Sequence, residues 1–374
     1  MKRKEFIRFG TTAVASTIIT QHLVGCETSN LRHCDEVLVV VKLQGGMDGY
    51  HLLAPVKNDI FASQRPSLHQ EINNSGIIWK GDWAFHPKFK ILNEMYQKGW
   101  LKIIPNIGFN DYKRLSHFKA MDYWETGSVV NDDRIYQSGW LGRLVDNKTI
   151  FVRGNESPVL IMDRSETRFH KGDISEGLTY TPFTPTGNFH SIIDEWLNEN
   201  SHLMNTDLYK KVENQQKVSE GLKNIKPISV SQKNIKGKLD QVAECIEQEQ
   251  PFAVYGLTQK GYDTHHKQSI RLEPLAMHLF EGLNTFATRL SNKGLWNRVK
   301  VLVYTEFSRT IAENRNLGTD HGTANHAYVL GGNLERYWDE LDSSFNTIKL
   351  AGRDYVKHNT DFREVYKKII PNQA

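Results

Sequence analysis

The chain has 374 residues, 39% of them hydrophobic and 24% charged, which supplies a sizeable core and excludes a wholly disordered protein. Its 47 basic and 43 acidic residues are spread along the sequence, so no basic arm or stripe of the kind that binds a phosphate backbone is present, and nucleic acid is excluded as an expected partner. The cysteines Cys26, Cys34 and Cys245 lie far apart and form no CxxC pair, so the sequence supports neither a zinc knuckle nor a disulfide framework.

Residues 1–9 (MKRKEFIRF) are basic, residues 10–20 (GTTAVASTIIT) are small or apolar, and Leu23-Val24-Gly25-Cys26 follows. That order predicts a secretory signal, and the tetrapeptide is similar to a bacterial lipobox in which Cys26 would carry lipid. The apolar run is too short to span a bilayer. Arg3-Lys4 is one residue short of a twin-arginine signal, which leaves the export route open. The expectation is a signal over 1–26, a linker over 27–36 and one domain over 37–374, placed in the periplasm or cell envelope on a lipid anchor.

Val37 to Leu43 (VLVVVKL) predicts a strand buried on both faces of a parallel sheet. Further strands are expected at Leu101 to Ile104, Ala253 to Leu257, Val299 to Tyr304 and Tyr328 to Leu330, with amphipathic helices at Phe89 to Lys98 and Leu272 to Ser291. Strands alternating with helices imply a mostly parallel α/β sheet. Residues 205–250, polar with apolar positions at helical spacing, predict an inserted helical hairpin with a solvated face.

Open α/β sheets bind ligands just beyond their strand ends, and three such places carry glycines with carboxylates or imidazoles. After the first strand, Gln44-Gly45-Gly46-Met47-Asp48-Gly49 offers Asp48 either as a metal ligand or as an Asx-turn residue. Gly261-Tyr262-Asp263-Thr264-His265-His266 brings one carboxylate and two imidazoles within four residues, a set suited to zinc or manganese. Gly318-Thr319-Asp320-His321 follows Glu306-Phe307-Ser308-Arg309; neighbouring Asp and His reach one cluster only from an irregular loop, which the glycines permit. Ser116, ahead of His117, is either a helix N-cap or a nucleophile. Arg309 is either an anion-binding fork or half of a structural ion pair. His86 and His278 read as packing or surface histidines.

The runs GGMDG at 45–49, FHP at 85–87, SHFKAMDYWETG at 116–127, GWLGR at 139–143, GYDTH at 261–265, EFSRTIAEN at 306–314, TDHGTANHAYVLGG at 319–332 and TDFREVY at 360–366 together resemble the bacterial family called domain of unknown function 1501. That family is similar to the alkaline phosphatase and sulfatase superfamily. The resemblance implies a three-layer α/β/α sandwich with a helical insertion, one or two divalent ions, zinc or manganese, and ligands at Asp48, Asp263, His265 or His266, Asp320 and His321, with His326 or His358 as a last imidazole. It implies hydrolysis of a small anionic phosphate or sulfate ester, with Ser116 as nucleophile and Arg309 on the ester oxygens. No Cys-x-Pro-x-Arg element is present, which disfavours a sulfatase of the usual type. The alternative is a non-catalytic envelope binding or assembly protein that keeps the fold.

Overall fold

The computed structural model describes residues 36–110, 116–129, 138–150, 158–162, 167–173, 178–179, 187–206, 208–209, 212–213, 216, 234–334 and 342–370. These belong to the compact unit Cys34–Ala374. The signal-like segment, the Cys26 tetrapeptide and most of the first arm of the expected hairpin lie outside the described residues.

In chain order the strands are β1 (Val37–Gln44), β2 (Leu53–Pro55), β3 (Ile77–Lys80), β4 (Trp83–Phe85), β5 (Leu101–Gly108), β6 (Val159–Ile161), β7 (Leu178–Thr179), β8 (Val254–Lys260), β9 (Val299–Thr305), β10 (Asn325–Gly331), β11 (Thr347–Leu350), β12 (Arg353–Val356) and β13 (Thr360–Asp361). Eight of them form the central sheet in the order β13-β5-β10-β9-β1-β8-β6-β7. Only β10 runs antiparallel to its neighbours β5 and β9; the other pairings are parallel. All five strands expected from the sequence are present in this sheet, so the fold is α/β with a mostly parallel sheet.

Strand β1 shows why the sheet is central. Along a strand, successive side chains point to opposite faces. Val37, Val39, Val41 and Leu43 enter one apolar core, and Leu38 and Val40 enter another. The first core is closed by the helices Lys90–Gln97, Ile235–Glu247 and Gln268–Asn292. The second is closed by His117–Thr126, Trp140–Asp146 and Phe362–Ile369. The result is three layers, and burial of a β-branched run on both faces is what a continuous VLVVV segment dictates.

The helix Ile235–Glu247, in the second arm of the expected hairpin, buries Leu239, Val242, Ala243, Cys245 and Ile246 and packs beside Gln268–Asn292 as part of the helical layer. Among the described residues no helix is long and apolar enough to cross a membrane.

The topology fixes where chemistry can gather. The parallel strands β5, β9, β1 and β8 end at one edge of the sheet, and β10, being antiparallel, begins there. The segments holding His117, Glu306 with Arg309, Asp48, Asp263 with His265, and Asp320 with His321 therefore all emerge at the same edge.

Candidate metal centre

Close backbone approach brings the loops together. Gly45 has a φ of 122°, and a Cβ there would sit 2.4 Å from Asp263 N; a Cβ on Gly318 would sit 2.3 Å from the His265 carbonyl carbon. Only glycine fits either position. Beyond β9 and before β10 the chain forms an irregular ladder, with Gly322 N donating to Ser308 O at 2.8 Å and Thr310 N to Asp320 O at 2.9 Å. This irregularity lets Asp320 and His321 serve one cluster despite being neighbours.

Three imidazoles meet around Asp263 Oδ1. His265 Nε2 lies 2.9 Å from it, His117 Nε2 3.5 Å and His321 Nε2 3.6 Å, while His265 Nε2 and His321 Nε2 are 3.1 Å apart. Donors bonded at 2.0–2.1 Å to a tetrahedral ion stand about 3.4 Å from one another, and His117, Asp263 and His321 converge as such a group, with His265 beside Asp263 and His321 but outside it. The ligand atoms of His117, Asp263 and His321 all fall within 4.8 Å of one another. Phe307 is buried under the imidazoles, its ring centroid 4.8 Å from that of His117 and 5.0 Å from that of His321.

The imidazoles are oriented from behind. Glu306 Oε1 accepts from His117 Nδ1 at 2.6 Å, and Asp320 Oδ1 lies 3.3 Å from His265 Nδ1. An ionised carboxylate only accepts, so the Glu306 pairing places the His117 proton on Nδ1 and leaves Nε2 a lone pair turned toward Asp263, whereas His265 stands between two carboxylates, Asp320 at Nδ1 and Asp263 at Nε2. His117 Nε2 is buried and has no hydrogen-bond partner. Glu306 is itself held by Gly45 N at 2.9 Å and by the Thr305 hydroxyl at 2.8 Å. Burial opposes the charged form of His117, but the Glu306 hydrogen bond and charge outweigh it and raise the pKa above the ordinary imidazole value. Asp263 is pushed the other way: burial would raise it, and the Arg309 hydrogen bond, with the charges of Arg309, His265 and His117, brings it below the usual carboxylate range.

The expected ligands do not all arrive. Asp263, His265 and His321 join the cluster, and Asp320 stands behind His265 as its orienting carboxylate. Asp48 is wholly buried and already paired with Arg65 Nη1 and with Gln268 Nε2 at 2.6 Å. His326 is turned into the interior, with Nε2 3.0 Å from Leu53 O and its ring against Tyr50 and Trp83. Arg309 is 1% exposed and donates to Asp263 at 2.8 Å, to Gly45 O at 3.2 Å and to Thr319, so the structure places it as a buried partner of Asp263. Ser116 is exposed at the start of its helix and makes no side-chain capping bond. His117 and Glu306, which complete the centre, were within the SHFK and EFSR runs; a histidine next to a candidate serine and a glutamate at a strand end were the available signals.

A second group, His51, His86 and Glu273, also converges. Here the tautomer is wrong for a metal. His86 Nδ1 accepts from Lys88 N at 3.2 Å, which leaves the proton on Nε2, and Nε2 faces Glu71 Oε1 at 3.3 Å. The His51 and His86 rings are stacked, 21° from parallel, so their lone pairs do not point at one place. His86 is a packing histidine, as its sequence setting suggested.

The model of the family described as protein of unknown function (DUF1501) matches residues 205–336. The chain resembles that family. The matched stretch, about a third of the chain, contains Asp263, His265, Glu306, Arg309, Asp320 and His321; Asp48 and His117 precede it. No curated protein matches the chain in sequence. Among solved structures, the C-terminal periplasmic domain of EcEptC from Escherichia coli, in complex with Zn, aligns at 7% identity and a TM-score of 0.39, over 79% of this chain and 72% of that one. Alkaline phosphatase from the Antarctic bacterium TAB5 aligns at 8% identity and 0.35, over 80% and 92%. The lipoteichoic acid synthase LtaP from Listeria monocytogenes aligns at 8% and 0.34, over 79% of this chain and 65% of its own, so this chain spans just under two thirds of it.

Proposed function

We propose that His117, Asp263, His265 and His321 hold a divalent cation, zinc or manganese, and that the protein hydrolyses a small phosphate or sulfate ester outside the cytoplasm. One observation carries this reading: His117, its Nδ1 proton fixed by Glu306, turns a buried Nε2 without a hydrogen-bond partner toward Asp263, and the ligand atoms of His117, Asp263 and His321 lie within 4.8 Å of one another. Lone pairs at that spacing repel unless a proton or a metal ion sits among them. Mixed Asp and His donors suit zinc or manganese better than calcium.

A bound cation supplies Lewis acidity toward an ester oxygen and lowers the pKa of a bound water. The chain supplies the rest. Glu306 keeps His117 in the binding tautomer, Arg309 holds Asp263 from the buried side, and Phe307 closes the floor. Asp263 and His265 are 49% and 42% exposed in their side chains, which leaves the outer side of the cluster open to a substrate. Ser116, one residue from His117 at the exposed rim, is the side-chain candidate for nucleophile, with water as the other.

The test is hydrolysis of p-nitrophenyl phosphate, bis(p-nitrophenyl) phosphate and p-nitrophenyl sulfate by the purified protein in zinc or manganese. Turnover lost in His117→Ala and Asp263→Asn supports the reading, and Ser116→Ala then separates a serine nucleophile from water. Metal binding without turnover of any ester favours the second reading, an envelope binding or assembly protein. Ser116 is the observation behind that alternative, since no base is hydrogen-bonded to its hydroxyl among the described residues.

The N-terminal pattern supports export and anchoring by lipid at Cys26. Labelling of the protein by a radioactive fatty acid in cells, abolished in Cys26→Ser, is the outcome that reading requires.

A further inference from the structure

Asp48 stands at the tip of β1, where the family resemblance would place a metal ligand, but its carboxylate is already occupied. Oδ2 accepts from Arg65 Nη1 and from Gln268 Nε2. Arg65 is 3% exposed and fixed by two further bonds, from Nε to Ile311 O and from Nη2 to Thr310 O. Gln268 is fixed as well, its oxygen accepting from the Thr264 and Thr319 hydroxyls. Oδ1 is buried without a partner, yet neither group of converging His, Asp and Glu side chains found among the described residues includes Asp48.

A cation here would have one carboxylate oxygen to bind and a guanidinium on the same carboxylate to repel it, in a buried setting where solvent screens the two charges little. The surrounding charges agree. Four carboxylates, Asp48, Asp263, Glu306 and Asp320, meet three guanidiniums, Arg65, Arg309 and Arg353, through direct contacts or shared partners. That leaves one net negative charge with the imidazoles neutral. One divalent ion reverses it to a single positive charge; a second would leave three positive charges at a partly buried site.

We infer that the centre takes one divalent cation and that Arg65 provides, at Asp48, the positive charge a second cation would bring. The inference rests on the metal reading above and narrows it: Asp48 is a structural carboxylate, and the ion sits on the His117, Asp263, His265 and His321 side.

The experiment is equilibrium dialysis of the metal-stripped full chain against cobalt(II), with bound metal counted by mass spectrometry and the ligand field followed by visible absorption. The expected result is saturation at one equivalent in the wild type and in Asp48→Asn, with the same visible spectrum, and at least tenfold weaker binding in Asp263→Asn. Two equivalents in the wild type, falling to one in Asp48→Asn, would overturn the inference while keeping the metal reading. No bound cobalt in the wild type would remove both. The wild-type stoichiometry decides the matter even if Asp48→Asn does not fold.

Discussion

Glu306 Oε1 and His117 Nδ1 are 2.6 Å apart, with the carboxylate buried and the imidazole one quarter exposed in its side chain. The pair sets the state of the whole centre, because it decides which nitrogen of His117 faces Asp263. Glu306→Gln keeps the size and an acceptor oxygen but loses the charge that fixes the tautomer. We expect metal affinity to fall by about 10- to 100-fold with little change in far-ultraviolet circular dichroism. An unchanged cobalt titration would remove Glu306 from the centre.

Asp320→Asn tests the same idea at a weaker partner. Asp320 is 45% exposed, lies 3.3 Å from His265 and shares its charge with Arg353. Solvent screens such a pair, so the expected loss of metal affinity is smaller than for Glu306→Gln, less than about tenfold. A larger loss than in Glu306→Gln would mean that His265, not His117, anchors the ion.

Arg65→Met leaves Asp48 charged, buried and without its cation. Breaking a buried pair from one side costs about 3–5 kcal/mol, and removing the remaining charge restores much of that. Arg65→Met should therefore lower the urea midpoint strongly, and Arg65→Met with Asp48→Asn should recover a large part of the loss. Two additive losses would contradict a direct pair.

Acid should destabilise the protein before its carboxylates titrate. His86, His170 and His326 are buried, and desolvation pushes each pKa down to about 4. With folded values depressed below the unfolded 6.5, the unfolded chain binds more protons between pH 6.5 and 4, so stability is complete above 6.5 and falls with pH through that window. Each imidazole contributes up to about 1.4 kcal/mol per pH unit. Glu273 does not confuse the measurement, because its value is lowered to about 2 and its contribution is lost only below the unfolded value of 4.5. His117, with a raised value, acts above pH 6.5. Urea unfolding at pH 7, 6 and 5 should show the fall, and His170→Asn should make it shallower; stability that stays level from pH 7 to 5 would count against neutral buried imidazoles.

The sequence by itself determined the sheet. Apolar runs such as VLVVVKL at 37–43 and VKVLVY at 299–304 are compatible with little besides strands buried on both faces, and that preference is local. It also marked the end of β1 and the loop between β9 and β10, because Gly45 and Gly318 stand where two backbones approach within a Cβ of each other. Asp263, His265 and His321 were legible for the same reason: short-range spacing brought an unusual density of donors to glycine-flanked loops.

Only the tertiary structure decided which donors face one another. His117 comes from beyond β5 and Glu306 from beyond β9, 189 residues later, and their 2.6 Å contact depends on β10 inserting antiparallel between those strands. Asp48 and Arg65 show the converse. Asp48 reads as a site residue in the sequence and Arg65 carries no signal there, and the structure joins them in a buried ion pair. Ligand choice turns on distances of a few ångströms and on which ring nitrogen holds a proton, and those are set by long-range packing that residue type and spacing do not encode.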